Sequence, residues 1–259
     1  MIRLHTSVLL IATLASLMPS AERIEAKLIH RYSFNDGSAK DSVGNVDGKL
    51  IGGAKIAAGQ LVLDNDGQTS DAAQLAYLEF AAPILPERGS VTLIAWFTAK
   101  KDSGDFARLL NIGDHESGEG RAFIYITPHT ADDQSRAAIT ATDTSGRIFV
   151  DNRRLDDDEE HMIAVVIDGD AGKLHVYIDG KEGAAAENLG ENALDKLRQV
   201  DRWLGRSSFD RDAGFSGSIN ELRVYDHALS ADEISAAHDI GADALPAAEK
   251  STTAPAAKK

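Results

Sequence analysis

Apolar residues recur along this chain in short runs, many with a period of two, broken by clusters of Gly, Asp and Asn. LIHRYSF, GQLVLD, AYLEFA, ARLLNIG, RAFIYIT, AAITATD, GRIFV, KLHVYID, RWLGR and SINELRVYD are rich in β-branched, aromatic and leucine side chains and are bounded by turn residues. That pattern predicts short β-strands. In KLHVYID, Leu174, Val176 and Ile178 alternate with His175 and Tyr177, so one face is expected to be buried and the other wetter. SVTLIAWFTA and HMIAVVID are apolar on both faces, which places them mid-sandwich with cover on both sides. Asp179-Gly180 between KLHVYI and KE supplies the positive φ angles of a two-residue hairpin turn. One helix is well signalled. Ser230 followed by Glu233 is a capping box, Ile234 and Ala237 give one apolar face, and Gly241 is a stop. GENALDKLRQV predicts a second, shorter helix. Many short strands without long helical patterns indicate an antiparallel sandwich or jelly roll.

The two ends differ from this core. Residues 1–26 carry Arg3 and then the apolar run VLLIATLASLM. The run is shorter than the roughly 20 residues a membrane span needs, and it reads as a signal peptide cleaved between Ser20 and Ala26. Residues 246–259 are rich in Ala, Pro and Lys without apolar period, and are expected to form a disordered tail. Residues 27–245 then form one domain. The expected location is secreted or periplasmic, with no membrane span in the mature chain. There is no Cys, so neither a disulfide framework nor a lipid-modified cysteine is available. The formal charge is −14, from 41 acidic and 27 basic residues. Such a surface disfavours nucleic acid and suits neutral or basic partners and divalent cations.

Three stretches together resemble the laminin-G-like jelly-roll domain of the concanavalin A-like lectin/glucanase superfamily. They are HRYSFNDGSAKDSVGNVDGKL, then GQLVLDNDG followed by AYLEF, then GSINELRVYDHALSADEI, with IDGK between the second and third. The resemblance runs from about Leu28 to Ala242. It implies an all-β, two-sheet antiparallel jelly-roll sandwich with a short C-terminal helix, in which the first and last strands are neighbours. It also implies a structural calcium ion where those strands meet, held by an acidic opening turn and an Asp of the last strand. Asn35, Asp36 and Gly37 form the matching turn here, and Asn220 stands where that Asp is usual. Asn in place of Asp removes a charge, so two readings stand side by side: a weakened calcium site, or Asn220 hydrogen-bonded to the turn without metal. Strict alternation from Leu222 and Val224 puts Asn220 on the core face, where a buried amide needs a partner.

Fold does not give function. The superfamily includes lectins, glycosidases, lyases and adhesion modules. The Glu-x-Asp spacing that would set two carboxylates on one strand face is absent, as are Gly-x-Ser-x-Gly, phosphate-loop and His-Glu-x-x-His patterns. LDDDEEH reads as a solvated loop. Aligning LDNDGQTSD to a calcium-binding EF-hand leaves Val62 and Ala73 where carboxylates are required, so it reads as a turn. The expectation is a non-catalytic module that binds carbohydrate or another extracellular polymer, with a cell-surface protein as the alternative partner. Strand alternation nominates Arg121, Tyr125, Tyr177, Arg223 and Tyr225 as exposed ligand contacts. Trp96 and Trp203 are expected in the core, Trp203 being the nearer to a surface beside Arg202 and Arg206.

Overall fold

The computed structural model of the chain describes residues 27–141, 148–183 and 187–245, with the side chains of 148–152 set aside. The expected signal peptide (1–26) and tail (246–259) lie outside the described residues. Two antiparallel sheets face each other. The nine-stranded sheet runs β13 (Lys181–Glu182), β12 (Lys173–Ile178), β11 (Glu160–Asp168), β6 (Val91–Ala99), β16 (Gly217–Tyr225), β4 (Gln60–Leu63), β3 (Lys55–Ala57). β1 (Leu28–Tyr32) also pairs with β16, and β14 (Glu187–Asn188) with β12. The seven-stranded sheet runs β10 (Ile148–Arg153), β9 (Gln134–Thr140), β8 (Glu119–Thr127), β7 (Leu110–Glu116), β15 (Asp201–Leu204), β5 (Tyr77–Phe80), β2 (Gly48–Ile51). The first and last strands are neighbours, as expected, in the register Tyr32↔Leu222 and His30↔Val224.

The main core lies between the sheets. Leu93, Ala95 and Phe97 of β6 and Ile163, Val165 and Ile167 of β11 meet Leu110, Ile112, Ile124 and Ile126 from the other sheet. Each such side chain, fully buried, contributes about 1.5–3 kcal/mol. The other face of β6 and β11, carrying Ile94, Trp96, Met162, Ala164 and Val166, packs in a second cluster with Ile234 and Ala237 of helix α1 (Ala231–Ile240). That cover explains why these two strands are apolar at every step. Helix α1 starts with the expected capping box: Glu233 N–H donates to Ser230 Oγ, and the Ser230 N–H donates to the Glu233 carboxylate. Asp179 and Gly180 take φ of 50° and 77° and pair Ile178 with Lys181 across the turn. In GENALDKLRQV only one 3-10 turn forms, Leu194–Lys196.

β16 departs from simple alternation. Its pairing with β6 slips between Ile219 and Glu221, so Asn220 is the extra residue of a β-bulge. Ile219, Leu222 and Val224 all enter the core between the sheets, while Glu221, Arg223 and Tyr225 face outward. Asn220 is therefore not a core residue: it is partly exposed, and its Nδ2 donates to Glu160 Oε1 at 2.8 Å. Glu221 is the buried polar group of the strand. Arg31 of β1 grips it twice, at 2.8 and 3.0 Å, Arg223 Nε donates to it, and so does the Asp243 N–H at 2.7 Å. Burial works to raise the Glu221 carboxyl, but the two guanidiniums outweigh it and hold it below its ordinary range. Arg223 also donates to the Gly241 and Ala244 carbonyls and lies 4.4 Å from the centre of the Trp96 ring. β1, β16 and the segment after α1 are tied at this one point.

Candidate functional site

The outer face of the seven-stranded sheet carries the chemistry. Register places Lys49, Glu79, Trp203, Asn111, Tyr125 and Ala138 in one row across six strands. The segment after β15 folds back over the middle of this row. Ser208 Oγ donates to Asp201 Oδ2 at 2.6 Å and accepts from Asn111 Nδ2 at 2.6 Å. Ser207 Oγ donates to Asp212, which also receives Arg108 Nη2 at 3.1 Å. Phe209 meets Phe123 edge-on with ring centroids 5.5 Å apart. Arg108 is buried with its guanidinium 3.5 Å from the centre of the Tyr125 ring, a cation–π contact.

Beside that covered strip the face opens. Trp203 meets Tyr77 edge-on at 6.1 Å. The Arg206 guanidinium lies 4.4 Å from the Trp203 ring and 5.0 Å from the Tyr77 ring, and donates to Tyr77 Oη at 3.1 Å. Trp203 is only 6% exposed, yet its indole Nε1 has no partner among the described residues, and neither has Arg206 Nε. Buried donors are paired as a rule, so an orphan pair in one stack marks unused hydrogen-bonding capacity. On the other flank His115, its side chain 41% exposed, is 6.1 Å from Trp203 and bound through Nδ1 to buried Asp201 at 2.7 Å. Tyr77, Glu79 and Arg206 are partly exposed and Lys49 is exposed.

A cavity of about 470 Å³ lies at the rim, between the loops Asn65–Thr69, Asp102–Asp105 and Arg211–Ser216. All three of its carboxylates are already engaged, Asp66 by Lys100 at 2.7 Å, Asp102 by Arg154 at 3.2 Å and Asp105 by His129 at 3.6 Å.

The ligand contacts nominated by alternation are mostly not free surface. Tyr125 lies under Arg108, Arg223 sits in the Glu221 cluster, and Tyr177 and Tyr225 belong to the apolar cluster beneath α1. Burial, and then Glu182, raise the Tyr177 phenol. Alternation correctly turned all four away from the space between the sheets, but both outer faces are partly roofed. Arg121 alone is exposed, paired with Glu116 at 2.8 Å. Tyr77 and Arg206 were missed; the aromatic in AYLEFA and the basic residue after RWLG were the signal.

The side chains the resemblance nominates around calcium are engaged in hydrogen bonds of their own. Asp36 Oδ1 accepts from the Ser38 N–H and hydroxyl, which hold its carboxyl low. Asn35 Nδ2 donates to Asp243, and Asn220 to Glu160. Gly37, at φ 74°, closes the turn. Calcium takes 6–8 oxygens, and no group of three His, Asp or Glu among the described residues is placed to hold a metal.

The chain matches the family model of the concanavalin A-like lectin/glucanases superfamily, Laminin_G_3, over residues 71–235. The comparison with curated proteins gives no match. Among solved structures the chain is similar to domain 4 of AbnA, a GH43 extracellular arabinanase from Geobacillus stearothermophilus, in complex with arabinotriose. Identity is 21%, 82% of this chain and 98% of that chain are covered, and the TM-score is 0.61. It is also similar to the CBM40 of the Ruminococcus gnavus IT-sialidase bound to α2,3 sialyllactose, at 18% identity over 57% of this chain and 82% of that one, TM-score 0.50. A third likeness is to botulinum neurotoxin type C, in a study of its cell entry through two ganglioside molecules. There identity is 11%, and 82% of this chain spans about half (51%) of that chain, TM-score 0.61. At these identities the likeness is one of fold.

Proposed function

Because the chain belongs to the concanavalin A-like lectin/glucanases superfamily, we propose that it is a non-catalytic recognition module that binds neutral, hydroxyl-rich carbohydrate outside the cytoplasm. The observation that carries this reading is the Tyr77–Arg206–Trp203 stack on the outer face of the seven-stranded sheet, in which Tyr77 and Arg206 are partly exposed. Aromatic faces pack against the C–H side of a sugar ring while nearby donors and acceptors fix its hydroxyls. The acidic surface, with Glu79 on the same face, favours neutral over anionic glycans. The apolar run before the domain and the absence of Cys fit export without disulfides. The arabinotriose complex among the similar structures agrees with this reading.

Glycan arrays followed by titration calorimetry test it. Tyr77→Ala, checked for unchanged circular dichroism, is expected to weaken glycan binding about tenfold, or about 1.4 kcal/mol. Arg211→Ala at the rim cavity is expected to leave binding unchanged. The reverse result would move the site to the rim. Capture of a protein receptor with no glycan bound would favour an adhesion module, and release of shortened sugar products would make the chain an enzyme.

A further inference from the structure

On the same face, one exposed imidazole is held by a buried chain of hydrogen bonds. Asn111, fully buried, donates to Ser208 Oγ; Ser208 donates to Asp201; and Asp201, 1% exposed, binds His115 Nδ1 through both oxygens, at 2.9 and 2.7 Å. Three buried polar side chains thus end on a histidine whose other nitrogen, Nε2, has no partner among the described residues. A carboxylate on Nδ1 selects the tautomer with the proton there. Nε2 of the neutral ring is then a hydrogen-bond acceptor next to Trp203.

We infer that His115 is a specificity-determining contact of this face, accepting a hydroxyl proton of the bound glycan at Nε2, with Asp201, Ser208 and Asn111 as its positioning residues. This rests on the carbohydrate reading above and deepens it. The alternative use of a carboxylate-bound histidine, as a base for a nucleophile, lacks the nucleophile here, since Ser208 donates to Asp201 and not to the imidazole. The charged groups around the ring are Asp114 and Glu116 on β7, Glu119 and Arg121 on β8, and Asp201 on β15. Arg198 pairs with Asp114, and Arg206 and Asp210 come from the segment over the face. Carboxylates outnumber guanidiniums, so a ligand carboxylate is disfavoured and a hydroxyl is the fitting partner.

The test is calorimetry at pH 8 with the best glycan from the array, on the full chain and on His115→Gln and His115→Ala. His115→Gln, whose amide oxygen is a hydrogen-bond acceptor in place of Nε2, is expected to keep binding close to that of wild type. His115→Ala is expected to bind about tenfold more weakly at pH 8. Nitrogen-15 spectra of the histidine rings at pH 8 are expected to show His115 Nε2 without a proton. His115→Ala binding as tightly as wild type overturns the inference and leaves the carbohydrate reading standing. A wild type that binds no glycan overturns both.

Discussion

Asp41 carries more of this fold than any other single side chain in the opening loop. Its side chain is fully buried and accepts from the N–H groups of Arg31, Val43, Gly44 and Val46 and from His30 at 2.6 Å. Burial works to raise its carboxyl, but those donors outweigh burial and bring it down to about 2. A carboxyl lower in the folded than in the unfolded chain stabilises above the unfolded value and loses that contribution as pH falls. Asp41 is therefore expected to contribute about 2 kcal/mol at pH 7, lost between about pH 4 and pH 2. Urea unfolding of wild type and Asp41→Asn should differ at pH 7 and converge toward pH 2. Gly44 is bound to the same knot: a Cβ there would stand 2.4 Å from Asp41 Oδ2 and 2.7 Å from the Ile29 carbonyl. The spacing Asp-Ser-x-Gly-Asn displayed this loop in the sequence, and turn chemistry was its plain meaning. Asn65 was equally visible within an Asp-Asn-Asp-Gly turn. Its burial, with hydrogen bonds to Ala76 and to the Phe215 carbonyl, was not, because those partners come from the approaches to β5 and β16, the latter 150 residues away.

At the level of elements, one inserted residue decides what β16 does. Read with period two, Asn220 faces the core and Ile219 faces out. The bulge resets the strand, so Ile219 joins the core and Glu221 becomes the buried outward group. A bulge leaves no mark on strand composition, and its pairing partner lies more than a hundred residues away in sequence. For the same reason, alternation found which side chains leave the space between the sheets but not that α1 and the segment after β15 cover them. The Glu221 cluster carries the consequence. Removing the carboxylate leaves Arg31 and Arg223 facing each other without their shared anion. Glu221→Ala is expected to destabilise the fold by about 3–5 kcal/mol, measured by the shift in urea midpoint, because uncompensated buried charge dominates such losses. Asn220→Ala, which loses only a partly exposed bond to Glu160, should cost about 1 kcal/mol or less.

For the whole molecule, the meeting of the domain's first and last strands was the expected place for calcium. Strand pairing of β1 with β16 and the Arg31–Glu221–Arg223 cluster already join them. At the opening turn both Ser38 donors fall on Asp36 Oδ1, so an ion there would coordinate through Oδ2. Thermal unfolding in EDTA and then in millimolar calcium measures this directly. A bound ion raises the melting temperature by mass action, and the rise should vanish in Asp36→Ala. Coincident curves are the outcome expected if hydrogen bonds and the arginine cluster alone hold the two strands. The sandwich class was legible from alternation and turn spacing, since each strand carries its own local signal. Which surface meets a ligand was not, because it depends on what roofs each sheet.

Strand β16 pairs with β1, β4 and β6 at once. Take it away and the nine-stranded sheet falls into three pieces, one holding β1, one holding β3 and β4, and one holding β6 with β11 to β14. Among the described residues it is also the last strand in chain order. A growing chain can therefore assemble hairpins but cannot close its larger sheet until residue 225 has been made, and until then β6 holds an open, apolar edge that is a template for aggregation.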